Sequence, residues 1–147
     1  MSVLVYAESS EGKFKKIAFE AVSYGKKVAE QLGTGLSVVT INADNISTLA
    51  DYGAEKIIKV NSDKLKTFNA KAYADAVKQV AEKESADVVI IDSSNNGLYL
   101  APLLAVKLEA GFASNVVAAP SSTSPFTVKR KAFSNKAFNN TEIKTAK

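Results

Sequence analysis

The sequence predicts a three-layer α/β/α domain around a mainly parallel sheet, ending in a strand-rich C-terminal segment. Three observations predict it. Short apolar runs rich in β-branched residues alternate with amphipathic helical stretches through residues 2–108, and such alternation implies parallel pairing through crossover helices. The runs are apolar at successive positions, as in strands buried on both faces. The chain has 147 residues, 46% hydrophobic and 23% charged. That is enough for one packed core and excludes a disordered chain.

Residues 2–7 (SVLVYA) read as the first buried strand and residues 8–13 (ESSEGK) as a polar turn. Phe14, Ile17, Ala18, Ala21, Val22, Val28, Ala29 and Leu32 then recur at helical spacing, interrupted at Gly25 and stopped at Gly33. Residues 36–41 (LSVVTI) form a second strand, residues 46–52 a short helix ending at Gly53, and residues 56–60 (KIIKV) a third strand. After a polar connection over 61–69, Tyr73, Ala76, Val77, Val80 and Ala81 mark a helix over 70–84, capped by Asn69. Residues 87–92 (DVVIID) are the clearest buried strand. Ser93 to Gly97 make a turn, and residues 98–108 a helix in which Pro102 is acceptable near the first turn. Residues 114–119 are expected as a last core strand. Residues 120–125 are a turn-rich connector, and 126–131 and 137–143 are further strands. The expected organisation is a core domain over 1–119 and a connector with a basic strand-like segment over 120–147.

Cys and His are both absent. That excludes disulfides, thiolate nucleophiles, Ser-His and Cys-His catalysis, and imidazole or thiolate metal sites. Charge is divided unevenly: residues up to Val128 hold 13 Lys against 14 acids, a net of −1. From Lys129 onward five Lys and one Arg face only Glu142, a net of +5. A basic tail can touch nucleic acid, yet this one has one Arg and neither Tyr nor Trp, so it reads as a solvated, Lys-rich strand region with no nucleic-acid role. No window approaches the ~18 apolar residues of a membrane span. The opening residues lack the charged start and cleavage site of a signal peptide. A cytoplasmic location without membrane insertion is expected.

Ligands of open parallel sheets sit beyond the carboxyl ends of the strands, which here carry Glu8, Asp44 and the run Ser93, Ser94, Asn95, Asn96, Gly97. Small hydroxyls, amides and a glycine before a helix can present N–H groups to an anion. They make a helix-capping turn equally well, and no Gly-rich dinucleotide fingerprint or P-loop supports the first reading. Asp92 could hold Mg²⁺ with Glu8 or Asp44, and is otherwise a cap or turn residue. The Lys15–Lys16 and Lys26–Lys27 pairs read as a solvated helix face, and Tyr52 and Tyr73 as core.

In order and spacing, several segments resemble the alpha subunit of electron transfer flavoproteins. They are VLVYAE at residues 3–8, residues 13–21 leading into a long helix, YGAEKI at 52–57, DVVIID at 87–92, residues 97–108 and GFASNV at 111–116. KRKAFSNKAF at 129–138 is similar to that family's Arg-Pro-(Tyr/Phe)-(Ala/Ser)-Gly-Lys-Ala segment. The chain departs from the family where Leu98, Tyr99 and Leu103 replace charged residues and Asn135 replaces a glycine.

The resemblance implies an adenine-nucleotide-hydrolase-like fold and the N-terminal domain of a longer chain, whose FAD-binding domain would begin beyond Lys147. It implies a scaffold that pairs with the beta subunit. The whole complex would carry electrons from acyl-CoA or other flavin dehydrogenases through FAD to a respiratory acceptor. No catalytic residues, no metal and no cofactor bound to this piece are expected, and Ser93 to Gly97 would be a vestigial nucleotide turn. An apolar face bared by absent partners would allow self-association. Two alternatives stay open from the residues alone: a stand-alone universal-stress-like module binding AMP or ATP at the same turn, and a Lys- or Mg²⁺-dependent enzyme using Glu8, Asp44 or Asp92.

Overall fold

A computed structural model describes residues 2–124, 126–132 and 137–144. Val3–Tyr6 form β1, buried along its whole length. Ser9–Ser10 (β2) and Lys13–Phe14 (β3) pair as a two-rung antiparallel hairpin. The polar turn is thus held in extended form, and Phe14 belongs to it rather than to the helix. Helix α1 (Lys16–Leu32) ends at Gly33, whose φ of 66° is left-handed and lets the terminal amides close on Ala29 and Glu30. Gly25, an interruption in the apolar period, is a packing device. A Cβ there would lie 2.4 Å from Val5 Cγ2, so the bare backbone lets α1 rest on β1.

Leu36–Ile41 form β4, Ile46–Tyr52 a 3₁₀ helix and Lys56–Val60 β5, on the bounds the periodicity predicts. The 61–69 connection contains one 3₁₀ turn, Asp63–Leu65. Asn69 caps α2 (Ala70–Lys83) by accepting from the Ala72 amide at 3.0 Å. Val88–Ile91 form β6. Helix α3 (Asn95–Leu108) starts earlier than expected because Ser94 caps it, which puts Pro102 well inside the helix rather than in its first turn.

The parallel sheet runs β5-β4-β1-β6. Alternation along the strands sends Val3, Val5, Leu36 and Val38 to α1 on one face. Leu4, Tyr6, Val39 and Ile41 meet α2 and α3 on the other, through Tyr73, Val77, Leu100 and Leu104. This is the three-layer arrangement that the sequence predicts.

The last segment differs from expectation. Residues 114–119 add no strand to the parallel sheet among the described residues; Val116 instead makes a single antiparallel bridge to Arg130. Ser122–Thr123 (β7), Phe126–Ala132 (β8) and Ala137–Ile143 (β9) form a separate antiparallel sheet. That sheet hangs on α1, where the Tyr24 hydroxyl donates to the Ala118 carbonyl (3.0 Å) and Gln31 to that of Pro120 (3.1 Å). Pro125 and residues 133–136, among them Asn135, lie outside the described residues.

Candidate functional site

After β1 the chain passes to β4 and β5 on one side and returns to β6 on the other. The switch point of the sheet is therefore the crevice between the carboxyl ends of β1 and β6, where open α/β sheets place ligands. Glu8 follows β1, and Asp92 to Gly97 follow β6.

The structure brings most of these residues together in one network. The Ser94 hydroxyl donates to Glu8 Oε2 at 2.7 Å and accepts from the Gly97 amide at 3.1 Å. Asn96 Nδ2 donates to Glu8 Oε1 at 2.6 Å, and the Ser94 amide donates to Asp92 Oδ1 at 3.0 Å. Gly97 is required by close approach, since a Cβ there would stand 2.0 Å from the Asp92 carbonyl oxygen. Ser93 and Asn95 are exposed beside the network. Asp92 is only 8% exposed, and its Oδ2 has no partner among the described residues. Beneath the network, burial and then the nearby Glu8, Tyr73 and Asp92 hold the Tyr6 phenol protonated far above the ordinary tyrosine range. Burial and Glu8 push Tyr73 the same way, and its hydroxyl donates to the Leu65 carbonyl.

The side-chain donors that would greet a phosphate are thus already used by a carboxylate of the chain itself, set at the N-terminus of α3. With Asp92 beside it, the crevice holds two carboxylates. It fits neither a nucleotide phosphate nor the pyrophosphate of a flavin dinucleotide, because both would meet like charge and lose their donors. In the sequence Glu8 reads as a strand-end acid and a candidate Mg²⁺ ligand. Its bond to the turn is not legible there, where the one signal is its place at the end of the strand adjacent to β6.

The other candidates separate. Asp44 packs against the β2–β3 hairpin, where its amide donates to the Gly12 carbonyl at 2.8 Å. It lines a 570 Å³ cleft beyond β4 and β5 with Asn42, Lys59, Ser62 and Lys66. Among the described residues no three metal-ligating side chains cluster. Lys26 does not simply face solvent, since it pairs with Glu55 at 2.9 Å. Tyr73 is core, as expected, whereas Tyr52 is 43% exposed and stacks on Phe19 at 4.5 Å. The two rings line a 590 Å³ groove along α1. No helix among the described residues is long and apolar enough to cross a membrane.

Residues 3–147 match the family described as the electron transfer flavoprotein domain. The chain belongs to that family. The electron transfer flavoprotein subunit alpha of Bacillus subtilis (strain 168) is 29% identical over 140 residues, covering 92% of this chain and 42% of the relative. The acryloyl-CoA reductase electron transfer subunit beta of Anaerotignum propionicum is 30% identical over 116 residues, covering 77% and 32%. A universal stress protein crystallised with cAMP overlays with a TM-score of 0.43 at 13% identity, over 70% of this chain and 89% of that one, a likeness too loose to inform function. The electron transfer flavoprotein domain therefore spans less than half the length of the curated relatives it matches. The names of the family and of both relatives are those of electron-transfer proteins.

Proposed function

We propose that this chain is the scaffold domain of an alpha-type electron transfer flavoprotein subunit. Residues 1–119 form its body, and residues 120–147 lead toward the part that binds flavin. The body supports a flavin domain and assembles with a beta-type subunit. The whole complex is cytoplasmic; it takes electrons from acyl-CoA or other flavin dehydrogenases through FAD and delivers them to a respiratory acceptor. Ser93, Ser94, Asn95, Asn96 and Gly97 are in this reading a nucleotide turn converted to structural use.

The observation that carries the reading is the Glu8 carboxylate, bound by Ser94 and Asn96 in the crevice where a nucleotide would place its phosphate. A charge-assisted pair of this kind holds the β1 and β6 ends together and rigidifies the sheet edge that a scaffold presents.

Calorimetric titration of the chain with AMP, ATP and FAD tests the assignment. No heat of binding is expected up to millimolar nucleotide. Micromolar affinity for AMP or ATP would overturn the scaffold reading in favour of a stand-alone nucleotide-binding module.

A further inference from the structure

The β8–β9 hairpin has two unlike faces. On the side turned to the body, Val128 is 2% exposed, and Arg130 donates through Nε to the Ser114 carbonyl and through Nη2 to its hydroxyl, both at 3.1 Å. The pairing sets Lys129 opposite Asn140 and Lys131 opposite Phe138, and alternation places these four on the outer face with Glu142. Phe138 is 62% exposed, with Lys129 Nζ 4.4 Å from its ring centroid. Neither Lys129 nor Lys131 forms an ion pair among the described residues. The inner face holds the hairpin to the body, whereas Lys129, Lys131 and Phe138 on the outer face are exposed.

We infer that the outer face of this hairpin is a docking surface for an acidic protein surface, with carboxylates meeting Lys129 and Lys131 around an apolar side chain seated on Phe138. Charge complementarity selects that occupant. The described residues from Lys129 onward hold three Lys and one Arg against Glu142, a net of +3, whereas residues up to Val128 carry −1, so an acidic partner is steered to this sheet. An exposed aromatic ring flanked by cations has the composition of an interface anchor with a polar rim. Single-stranded nucleic acid fits less well. It needs several free aromatic faces and an unbroken basic track, whereas among the described residues of this face the Phe138 ring lies under Lys129 and Glu142 stands beside it. A second copy fits less well too, because its body is nearly neutral. The inference stands apart from the flavin assignment and would hold if the crevice did bind nucleotide.

The test is fluorescence anisotropy of the full chain with a labelled peptide of Glu-Glu-Leu repeats and, separately, a labelled single-stranded oligodeoxynucleotide of equal charge. The peptide is expected to bind, and Lys129→Glu/Lys131→Glu to weaken it about tenfold or more, as loss and reversal of two exposed charge pairs requires. Lys129→Gln/Lys131→Gln is expected to fall between, and Phe138→Ala to weaken binding without changing its salt dependence. The control pair Lys64→Glu/Lys66→Glu is expected to bind as the unaltered chain does. Absence of peptide binding, or an equal loss in the control, would overturn the proposal. Tighter binding of the oligonucleotide would overturn it in favour of nucleic acid.

Discussion

Replacing Glu8 by Gln keeps the shape of the side chain and removes its charge, which isolates what the carboxylate does at the turn. Glu8 accepts two short bonds, from Ser94 Oγ at 2.7 Å and Asn96 Nδ2 at 2.6 Å. A glutamine offers one carbonyl oxygen to these donors, and its amide group turns a donor toward the other. One charge-assisted bond, worth about 1.5–3 kcal/mol where fully formed, is therefore lost and the second loses its charge. Glu8 is half-buried, so the lower end applies. Removing a negative charge from the N-terminus of α3 adds about 0.3–1 kcal/mol. The expected loss is roughly 2 kcal/mol, which for a domain of this size lowers Tm by about 4–8 °C. Circular dichroism melts at neutral pH of the unaltered chain, Glu8→Gln, Ser94→Ala and the double variant measure it, with a coupling of about 1 kcal/mol expected between the two positions. A melt unchanged by Glu8→Gln, or strictly additive variants, would show that Glu8 does not bind the turn, and the argument against a nucleotide in the crevice would fall with it.

Four further outcomes follow from the same structure. Gly97→Ala drives a Cβ to 2.0 Å from the Asp92 carbonyl. Backbone must shift, at about 2–3 kcal/mol, and an unfolding free energy from urea denaturation lowered by less than half that amount would refute the close approach. Asn69→Ala removes the α2 cap at Ala72 and lowers Tm by about 2–4 °C for the ~1 kcal/mol such caps contribute. Pro102→Ala restores an amide facing the Leu98 carbonyl inside α3 and raises stability by ~1 kcal/mol or more in chemical denaturation; destabilisation would show that the ring itself is needed. The hydrogen bond from Lys107 at 2.6 Å, helped by Lys71 and Lys78, holds the Asp75 carboxyl below its ordinary range. A depressed folded pKa stabilises fully above the unfolded value near ~4 and fades as pH falls through the folded one. The Tm gap between the unaltered chain and Lys107→Met is therefore flat above about pH 5 and closes below ~4.

The fold was largely legible because its strands announce themselves locally. LSVVTI, KIIKV and the core of DVVIID lie in the structure where their apolar runs predict. The misread elements are those in which a distant contact decides. Residues 114–119 are apolar enough for a core strand, but their backbone pairs with β8, the Val117 amide on the Lys129 carbonyl and the Lys131 amide on the Asn115 carbonyl. The Arg130 guanidinium adds its bonds to Ser114. Local propensity does not encode such a choice. The start of α3 lies earlier than its local sequence predicts for a related reason. Asn-Asn-Gly is a poor helix opening by propensity, and it becomes helical because Ser94 caps Gly97 while Glu8 draws Asn96 inward.

That last contact also explains why the residues of the candidate site could be named while their use stayed open. Ser, Asn and Gly before a helix offer the same donors to a phosphate and to a carboxylate, so composition at the turn cannot separate an anion site from an internal clasp. What separates them is whether an acid of the chain reaches the donors first. Here that acid lies 86 residues away from Ser94, and it is delivered by topology: β1 is the direct neighbour of β6, so the residue two beyond β1 faces the turn after β6. An aspartate at position 8, shorter by one methylene, would not span both Ser94 and Asn96, and a glutamine would span them without the charge. The difference between a nucleotide pocket and a structural clasp in this fold thus rests on the length and charge of a single strand-end side chain, read only after the strand order is known.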